Sequence, residues 1–356
     1  MSKKFKLLLA VMVCAVALFE VGCNQNSAQQ PTAPAEPGSY QGHFKGKTLT
    51  IIVPFSPGGG FDIYARLAQP FFKEYTGAAV VVTNMPGGGG LVGANRVYNA
   101  RASDNTIGIL GGGNLVYTVI GGVPGVSYEI DKYQYIGRVS ADPTTLVAGN
   151  QYDTLDKVLA LTKPKWAVNG IGEADFYNGI ILMRALGKGP YDYDVITGWE
   201  GTSQWFSAIT AGSVDFGFVS AGSSYIYHEE GNCEILLQLD YERDERIPDV
   251  PTIFEVLQER GITDEQILKK VETICNIHMA NRVFAAGPNM PAADVEALKW
   301  AWEKIAQDPA FLASCAQANR PIAYMDAETL QEALITGASN GLALKPIFDE
   351  QIAIVQ

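Results

Sequence analysis

The sequence predicts an α/β protein made of two lobes, each a mixed sheet flanked by helices, with a cleft between the lobes. Strands that end in glycine-rich loops alternate with amphipathic helices along most of the chain. A second series of strands and helices begins near Leu146. The 356 residues are enough for two hydrophobic cores instead of one. Together these three observations favour a two-lobed α/β fold.

The N-terminal segment is expected to direct export to the periplasmic or extracytoplasmic side of the membrane. Within residues 1–22, three lysines precede an apolar run that is too short to span a bilayer comfortably. The residues around Cys23 are similar to a bacterial lipoprotein cleavage site, which predicts a lipid anchor at Cys23. Glu20 departs from that pattern, so an ordinary cleaved signal with an incidental cysteine remains the alternative. Residues 23–42 are polar and proline-rich, which predicts a flexible tether.

The folded body opens with the stretch TLTIIVPFSPGGGFDIYARL, residues 48–67. Its β-branched start predicts a buried strand, and its three glycines predict a tight turn. Apolar residues at helical spacing then predict a helix that Asp62 caps. The main-chain N–H groups of such a turn point at one spot beside the helix N-terminus. Because an anion there gains about 0.3–1 kcal/mol from the helix dipole, the stretch predicts anion binding.

Two more strands of the first lobe end in loops of the same kind. The strand 79–83 leads into Asn84 and the glycines 87–90, and the strand 106–110 leads into 111–114. Ligands of open α/β sheets lie at the carboxyl ends of the strands. A single glycine loop would need no explanation beyond a tight turn. Three such loops close together in the chain favour a shared binding edge.

The second lobe is predicted over residues 146–282. Its predicted strands are 166–168, 194–197, 214–219 and 234–239, and the first two lead into loops at 169–175 and 198–203. A short strand at 283–286 then returns the chain to the first lobe, and a mostly helical tail follows. The tail most simply packs on the first lobe, which would then comprise residues 43–145 and 283–356. This arrangement requires at least two crossings between the lobes, and therefore a hinge.

Composition and motifs exclude several classes of protein. The net charge of −12 and the pI near 4.8 argue against nucleic acid as a partner. Cys233, Cys275 and Cys315 are odd in number and match no zinc spacing, so we expect buried thiols. No H-E-x-x-H or C-x-x-C motif occurs, and Ile63 replaces the third glycine of a G-x-G-x-x-G pattern. We therefore expect neither a metal nor a cofactor.

Acidic residues next to the predicted cleft loops leave one catalytic alternative open. Asp62, Glu173, Asp175 and Glu200 occupy these positions. Two close carboxylates could act as an acid–base pair, as in an exported α/β enzyme. Helix caps and solvated loop charges are the commoner explanation of such residues.

Five segments, taken in chain order, resemble the substrate-binding receptors of tripartite tricarboxylate transporters, the Bug receptors. They are IVPFSPGGGFDIYARL, VVVTNMPGGGGLVGANRV, GWEGTSQWFSAITAGSVDFGF, RIPDVPTIFE and AAGPNMPAADVEALKWAWEKIAQDPAFLA. The resemblance implies a fold like that of type II periplasmic binding proteins, and a monomeric, non-catalytic receptor without a cofactor. Such a receptor closes on a small organic carboxylate and delivers it to membrane permease subunits. A sensor that reports its ligand to a signalling partner remains an alternative.

The resemblance also implies which residues bind the ligand. Loops of the first lobe would hold one carboxylate through main-chain amides and ordered water. These loops contain Ser56, Gly58, Gly59, Gly60, Asp62, Asn84, Gly88 and Gly89. Asn114, in the third glycine loop, is a further candidate. The opposite lobe, which would select the rest of the ligand, contributes Gly170, Ile171, Glu173, Asp175, Trp199, Glu200, Gly201 and Thr202.

Two departures from the family pattern bear on the ligand. Family members usually carry small hydroxyl residues and a histidine where this chain has Glu173-Ala174-Asp175, and a tyrosine and a lysine where it has Trp199-Glu200. Both changes add negative charge or remove positive charge near the selective side, which would repel a tricarboxylate such as citrate. We therefore expect a ligand with one carboxylate and a neutral, aromatic or amino-bearing far end.

Overall fold

The computed structural model describes residues 40–355. Cys23, the predicted export signal and most of the predicted tether lie outside these residues. The end of the tether lies within them and packs on the body. Tyr40 lies beside Trp300, with 6.3 Å between the ring centroids, and the Gly42 amide donates to the Tyr75 carbonyl. The packed body therefore begins slightly before residue 43.

The described residues form ten strands in two five-stranded sheets. The strands are β1 (Thr48–Val53), β2 (Ala79–Asn84), β3 (Thr106–Gly111), β4 (Gln134–Ser140), β5 (Thr144–Ala148), β6 (Lys165–Ala167), β7 (Asp194–Ile196), β8 (Phe216–Ser220), β9 (Glu234–Leu239) and β10 (Arg282–Ala286). The sheet orders are β2-β1-β3-β10-β4 and β7-β6-β8-β5-β9. In each sheet one strand, β10 or β5, runs antiparallel to its neighbours, whereas three others form parallel pairs. The predicted α/β fold with two mixed sheets is confirmed. We call the sheet that contains β1, with its helices, the first lobe, and the other sheet with its helices the second lobe.

Thirteen α-helices lie within the same part of the chain. They are α1 (Gly60–Thr76), α2 (Leu91–Tyr98), α3 (Gly112–Ile120), α4 (Leu155–Leu159), α5 (Ala174–Ala185), α6 (Thr202–Thr210), α7 (Ala221–Glu229), α8 (Ile253–Glu259), α9 (Glu265–His278), α10 (Ala292–Gln307), α11 (Pro309–Gln317), α12 (Ala327–Gly341) and α13 (Lys345–Val355). Most of those in the first two thirds of the chain, including α1, α3, α5, α6 and α7, begin at or shortly after the carboxyl end of a strand. Between residues 40 and 355, no helix has the length and apolar character needed to cross a membrane.

Aspartate side chains cap two of the C-terminal helices. Asp308 and Asp326 accept hydrogen bonds from first-turn amides of α11 and α12. The prediction that Asp62 caps α1 is wrong, because the N-cap residue is Gly59 and Asp62 lies in the first turn.

The chain crosses between the lobes twice, as the fold prediction requires. The first crossing, residues 141–143, joins β4 to β5, and the second, residues 279–281, joins α9 to β10. Each crossing therefore leads directly into the antiparallel strand of a sheet. Because both crossings adjoin residues at the carboxyl edges of the sheets, side chains from the crossings can reach the space between the lobes.

A continuous apolar core joins the two lobes on one side of the molecule. It includes Tyr117 of α3 and Tyr177 of α5, whose rings stack with 5.0 Å between centroids. The Tyr117 hydroxyl also donates to Asn178 Oδ1 at 2.8 Å. The last helix differs from the expected packing, since Phe348 of α13 lies against Tyr177 of the second lobe. The residue limits of the lobes stay a prediction.

Candidate ligand-binding site

Loops from both lobes face each other across a small cavity of about 40 Å³. A water molecule needs roughly 10–15 Å³ of such space, so the lobes are closed around room for a few waters. Eight residues predicted from the sequence line the cavity: Ser56, Gly59, Gly60, Asn114, Glu173, Asp175, Gly201 and Thr202. The other nine predicted residues lie outside this lining: Gly58, Asp62, Asn84, Gly88, Gly89, Gly170, Ile171, Trp199 and Glu200. Ligand binding stays a prediction for all of them.

The loop between β1 and α1 presents main-chain amides to the cavity. Within the described chain, α1 begins after Gly59 without a side-chain cap. The N–H groups of a first helical turn have no partner within the helix, so an uncapped turn attracts an anion. Both Gly59 and Gly60 line the cavity at this point.

Asp62 fixes this loop from behind. Its carboxylate accepts hydrogen bonds from the Gly58 amide, from Arg66 Nε and from Asn84 Nδ2, each at 2.9 Å. Burial opposes ionisation of Asp62, but the three hydrogen bonds outweigh it and lower its pKa. Asp62 and Asn84 therefore support the loop from positions outside the cavity lining.

The glycine loop after β2 lies against the second lobe. Gly89 has a φ of 67°, and a Cβ placed on it would lie 2.6 Å from the Glu173 nitrogen. A Cβ placed on Gly172 would lie 2.1 Å from the Gly88 carbonyl oxygen. These glycines are required because two main chains pass in direct contact. Gly88 and Gly89 thus close the cleft beside the cavity.

Two polar bridges tie the lobes together around the cavity. Asn114 Nδ2 donates to the Gly89 carbonyl at 3.0 Å, while its Oδ1 accepts from the Ala174 amide at 3.1 Å. The Ser56 amide donates to the Glu200 carbonyl oxygen at 3.1 Å. The side chain of Trp199 is directed to its own lobe, where Nε1 donates to the Ile196 carbonyl. Of the two departures from the family pattern, only the one at residues 173–175 therefore reaches the cavity.

Glu173 and Asp175 form an acidic pair in the cavity wall. Glu173 accepts hydrogen bonds from the Asn169 amide at 3.0 Å and from Asn169 Nδ2 at 2.8 Å. Asp175 accepts one from the Thr144 hydroxyl at 2.8 Å. Burial and the neighbouring charge of Asp175 raise the pKa of Glu173, and burial also raises the pKa of Asp175. The donors around this pair are neutral groups.

Arg282, which is absent from the predicted site residues, supplies a positive charge to the same cavity. The residue is 3% exposed, and its side chain donates to Ser140 Oγ at 3.0 Å and to Ser220 Oγ at 2.9 Å. It also pairs with Asp142 at 3.2 Å, and its guanidinium lies 4.9 Å from the centre of the Phe61 ring. In the sequence, the sign of this role is an arginine at the first position of the otherwise apolar strand RVFAA.

A buried cluster of charges lies behind Arg282. Arg246 pairs with Asp142 at 3.0 Å and with Asp244 at 2.6 Å. Arg320 is 2% exposed and makes no ion pair with the described residues. Three arginines and two aspartates thus lie in this cluster, which carries an excess of positive charge behind the cavity.

His278 also lines the cavity, but its contacts are structural. Nε2 contacts the Asp142 carbonyl oxygen at 2.5 Å, and Nδ1 lies 3.3 Å from the Thr144 hydroxyl. Burial lowers the pKa of His278 to about 4, so the ring is neutral at physiological pH. His278 therefore links the two crossings of the chain.

A metal centre and a nucleophile elbow find no support in the part of the chain described. No group of histidine, cysteine and acidic residues there could hold a metal ion. Cys233, Cys275 and Cys315 are buried free thiols, as expected. Residues 337–341 match the G-x-S-x-G pattern of a nucleophile elbow, but they lie within α12 and not at a strand-to-helix turn.

Two lobes closed on a small cavity, with an uncapped helix N-terminus and a buried arginine in its walls, define a solute-binding protein. The family model described as "Tripartite tricarboxylate transporter family receptor" matches residues 64–339. The chain belongs to this family, which confirms the resemblance found in the sequence. It is a receptor of solute-binding type, and the family is not one of enzymes.

Individual relatives agree with this assignment. A UPF0065 protein of Bordetella pertussis is 28% identical over 225 residues, which span 60% of this chain and 67% of that relative. The structure of periplasmic binding protein BugD has a TM-score of 0.71 at 21% identity and covers 85% of this chain and 98% of its own. A structure of MatC from Rhodopseudomonas palustris with bound malate has a TM-score of 0.67 at 22% identity, covering 87% and 100%. These structures show that the fold is that of periplasmic binding proteins.

Proposed function

We propose that this protein captures a small organic carboxylate outside the cytoplasmic membrane and delivers it to the permease subunits of a tripartite tricarboxylate-type transporter. The observation that carries the proposal is the meeting of a helix N-terminus and a buried arginine between the lobes. A Cβ placed on Gly60 would lie 3.0 Å from Arg282 Nη2, so the uncapped start of α1 and the guanidinium meet at one point. Both features favour a carboxylate there. Malate in the MatC structure supports the same ligand class.

Closure of the lobes on the ligand supplies the mechanism. The cavity is lined by residues of both lobes, so a ligand inside it contacts both at once. Such a ligand binds the closed form more tightly than an open one and shifts the population toward it. The permease would then recognise the closed, loaded receptor.

A thermal-shift and calorimetry screen tests the binding step. Bound ligand stabilises the folded state, by about 2.7 kcal/mol at one hundred times the dissociation constant. We expect a raised melting temperature with at least one small carboxylate and no shift with the corresponding neutral amide. Failure of every carboxylate to bind would overturn the proposal.

Replacement of Gly59 provides the matched variant for this screen. Gly59 lines the cavity, and a Cβ placed on it would have Ser56 O as its nearest neighbour at 3.9 Å. Gly59→Leu should therefore keep the melting temperature of the ligand-free protein and lose the shift caused by ligand. A variant that still binds would show that the ligand lies elsewhere.

Anchoring and delivery are tested in cells. A lipid anchor at Cys23 predicts palmitate labelling of the wild-type protein that Cys23→Ala removes, and labelling that survives the substitution would contradict it. Delivery to a permease predicts that a deletion strain loses uptake of the ligand. A strain that loses only a transcriptional response to the ligand would favour a sensor instead.

A further inference from the structure

We propose, on the basis of the function above, that the ligand is an amino carboxylic acid. Its carboxylate would lie at Arg282 and the first amides of α1. Its ammonium group would lie at Glu173, Asp175 and Asn169. This assigns opposite ends of one ligand to opposite walls of the cavity.

The acidic wall lacks a counter-ion. Glu173 and Asp175 both line the cavity, and among the described ion pairs neither of them has a cationic partner. Their hydrogen-bond donors are Asn169 and Thr144, which carry no charge. Two buried carboxylates without an ion-pair partner are costly, and burial raises the pKa of both groups although the nearby charge of Arg282 partly offsets the effect on Asp175. A ligand cation at this wall would compensate them.

Asn169 provides an independent sign that the ligand carries a donor. Its side chain lines the cavity and the residue is 5% exposed. Its Nδ2 is used by Glu173, but its Oδ1 is buried without a donor from the described residues. A buried acceptor without a partner costs free energy that a ligand donor would recover. An ammonium group has three donors, which matches the two carboxylates and this amide oxygen.

The opposite wall offers a hydrogen-bond donor to an acceptor on the ligand. Arg282 Nε is buried and lacks an acceptor among the residues described, although both Nη atoms are hydrogen-bonded. A carboxylate can accept from this N–H and from the amides at the start of α1. The excess of arginine over aspartate behind this wall adds to the attraction.

The same geometry disfavours a dicarboxylate. The far carboxylate of malate or succinate would meet the acidic pair in a closed cavity, where the negative charge of Asp175 repels it strongly. A monocarboxylate without an amino group would leave Asn169 Oδ1 and the acidic pair uncompensated. An amino acid would place its carboxylate at Arg282 and its ammonium group at the acidic pair.

Calorimetry with matched ligands tests the proposal on the mature protein. The probes are alanine, β-alanine and 4-aminobutyrate, each compared with the parent acid that lacks its amino group, and with succinate. We expect at least one amino acid to bind at least about tenfold more tightly than its parent acid, the ratio that one charge-assisted hydrogen bond gives. Equal or tighter binding of parent acids or succinate would overturn this inference and leave the carboxylate receptor intact. If none of these acids binds, the amino-acid inference fails, while the carboxylate proposal is decided by the wider screen described above.

Charge-removing variants locate the ammonium group. Glu173→Gln combined with Asp175→Asn should abolish the preference for amino acids and improve binding of succinate. Exposed Glu229 on α7 gives the control, because Glu229→Gln also removes a negative charge but lies away from the cavity. The control should keep the wild-type ratio. A double variant that folds, as judged by its melting temperature, and keeps the preference would contradict the assignment.

Discussion

The protonation of Glu173 links the charge of the cavity to the stability of the ligand-free protein. Its pKa is raised in the folded state, by burial first and by the charge of Asp175 second. The folded protein therefore keeps a proton that the unfolded chain loses at a pH of about 4.3. The resulting stability is complete below that unfolded pKa and is lost as the pH rises through the folded pKa. Asp175 contributes in the same direction, whereas His278, whose pKa burial lowers to about 4, contributes in the opposite direction below its unfolded pKa of about 6.5.

We predict that the free energy of unfolding of the ligand-free protein falls between about pH 6.5, above which His278 is neutral in both states, and about pH 8, and that it falls less in Glu173→Gln. Urea titrations at several pH values measure the difference. Glu229→Gln should follow the wild-type slope, since that side chain is exposed. Identical slopes for wild type and Glu173→Gln would show that the folded state does not hold this proton.

At the scale of elements, the two glycine loops that meet across the cleft control closure. Gly172 belongs to the β6–α5 loop of the second lobe and Gly88 to the loop after β2 of the first. A Cβ on Gly172 would lie 2.1 Å from the Gly88 oxygen, a separation that side chains do not reach without movement of the main chain. The clash exists only when the lobes are closed, because the two loops belong to different lobes.

We therefore expect Gly172→Ala to weaken ligand binding by at least about tenfold, which corresponds to about 1.4 kcal/mol. The melting temperature of the ligand-free variant should stay near that of the wild type, since an open form avoids the contact. Gly189→Ala is the matched control, because a Cβ there meets only Asp192 Oδ2 at 3.4 Å. Calorimetry on the three proteins gives the comparison, and wild-type affinity in Gly172→Ala would contradict this role of the loop.

The sequence predicted elements with clear periodicity and missed those without it. β1 and the strand at 234–239 carry the apolar runs that define buried strands, and both are present. β4 was not predicted, because Gly137 and Arg138 interrupt its apolar pattern although all but its first residue are buried. β5 is five residues long and follows β4 after a short crossing, so it has no turn signal of its own.

The glycine loops and the acidic residues of the candidate site could be predicted from the sequence, whereas Arg282 could not. Glycine-rich loops indicate close main-chain contact with a ligand, and Ser56, Gly59 and Gly201 line the cavity. Arg282 reaches it because the second crossing places the start of β10 beside β3 and β4. That position depends on a strand pairing between residues far apart in the chain, which a local pattern does not contain. Asp62 is the opposite case. The sequence predicted it as a site residue, but its carboxylate supports the loop from outside the cavity lining.

At the scale of the whole molecule, the two sides of the cleft are held together in different ways. On one side, the core around Tyr117 and Tyr177 joins the lobes through buried aromatic contacts. On the other, main-chain contacts such as that between Ser56 and Glu200 close the cleft. Exposing this much buried apolar surface costs more free energy than breaking one hydrogen bond, which contributes about 0.5–1.5 kcal/mol net. Opening should therefore pivot near the core and the crossings, with the largest displacement at Ser56 and Gly201.

A disulfide across the cleft tests this motion directly. A Cβ on Gly201 would lie 3.4 Å from the Ser56 Cβ, close to the separation of about 3.5–4.5 Å in disulfides. We expect the Ser56→Cys, Gly201→Cys protein, in a Cys23→Ser background, to lock the lobes closed on oxidation. Ligand bound before oxidation should then leave much more slowly, and ligand added afterwards should be excluded until the disulfide is reduced. The buried thiols Cys233, Cys275 and Cys315 should not compete for the bridge. Each single-cysteine variant is the control, and an oxidised double variant that exchanges ligand as fast as its reduced form would show that the cleft does not open here.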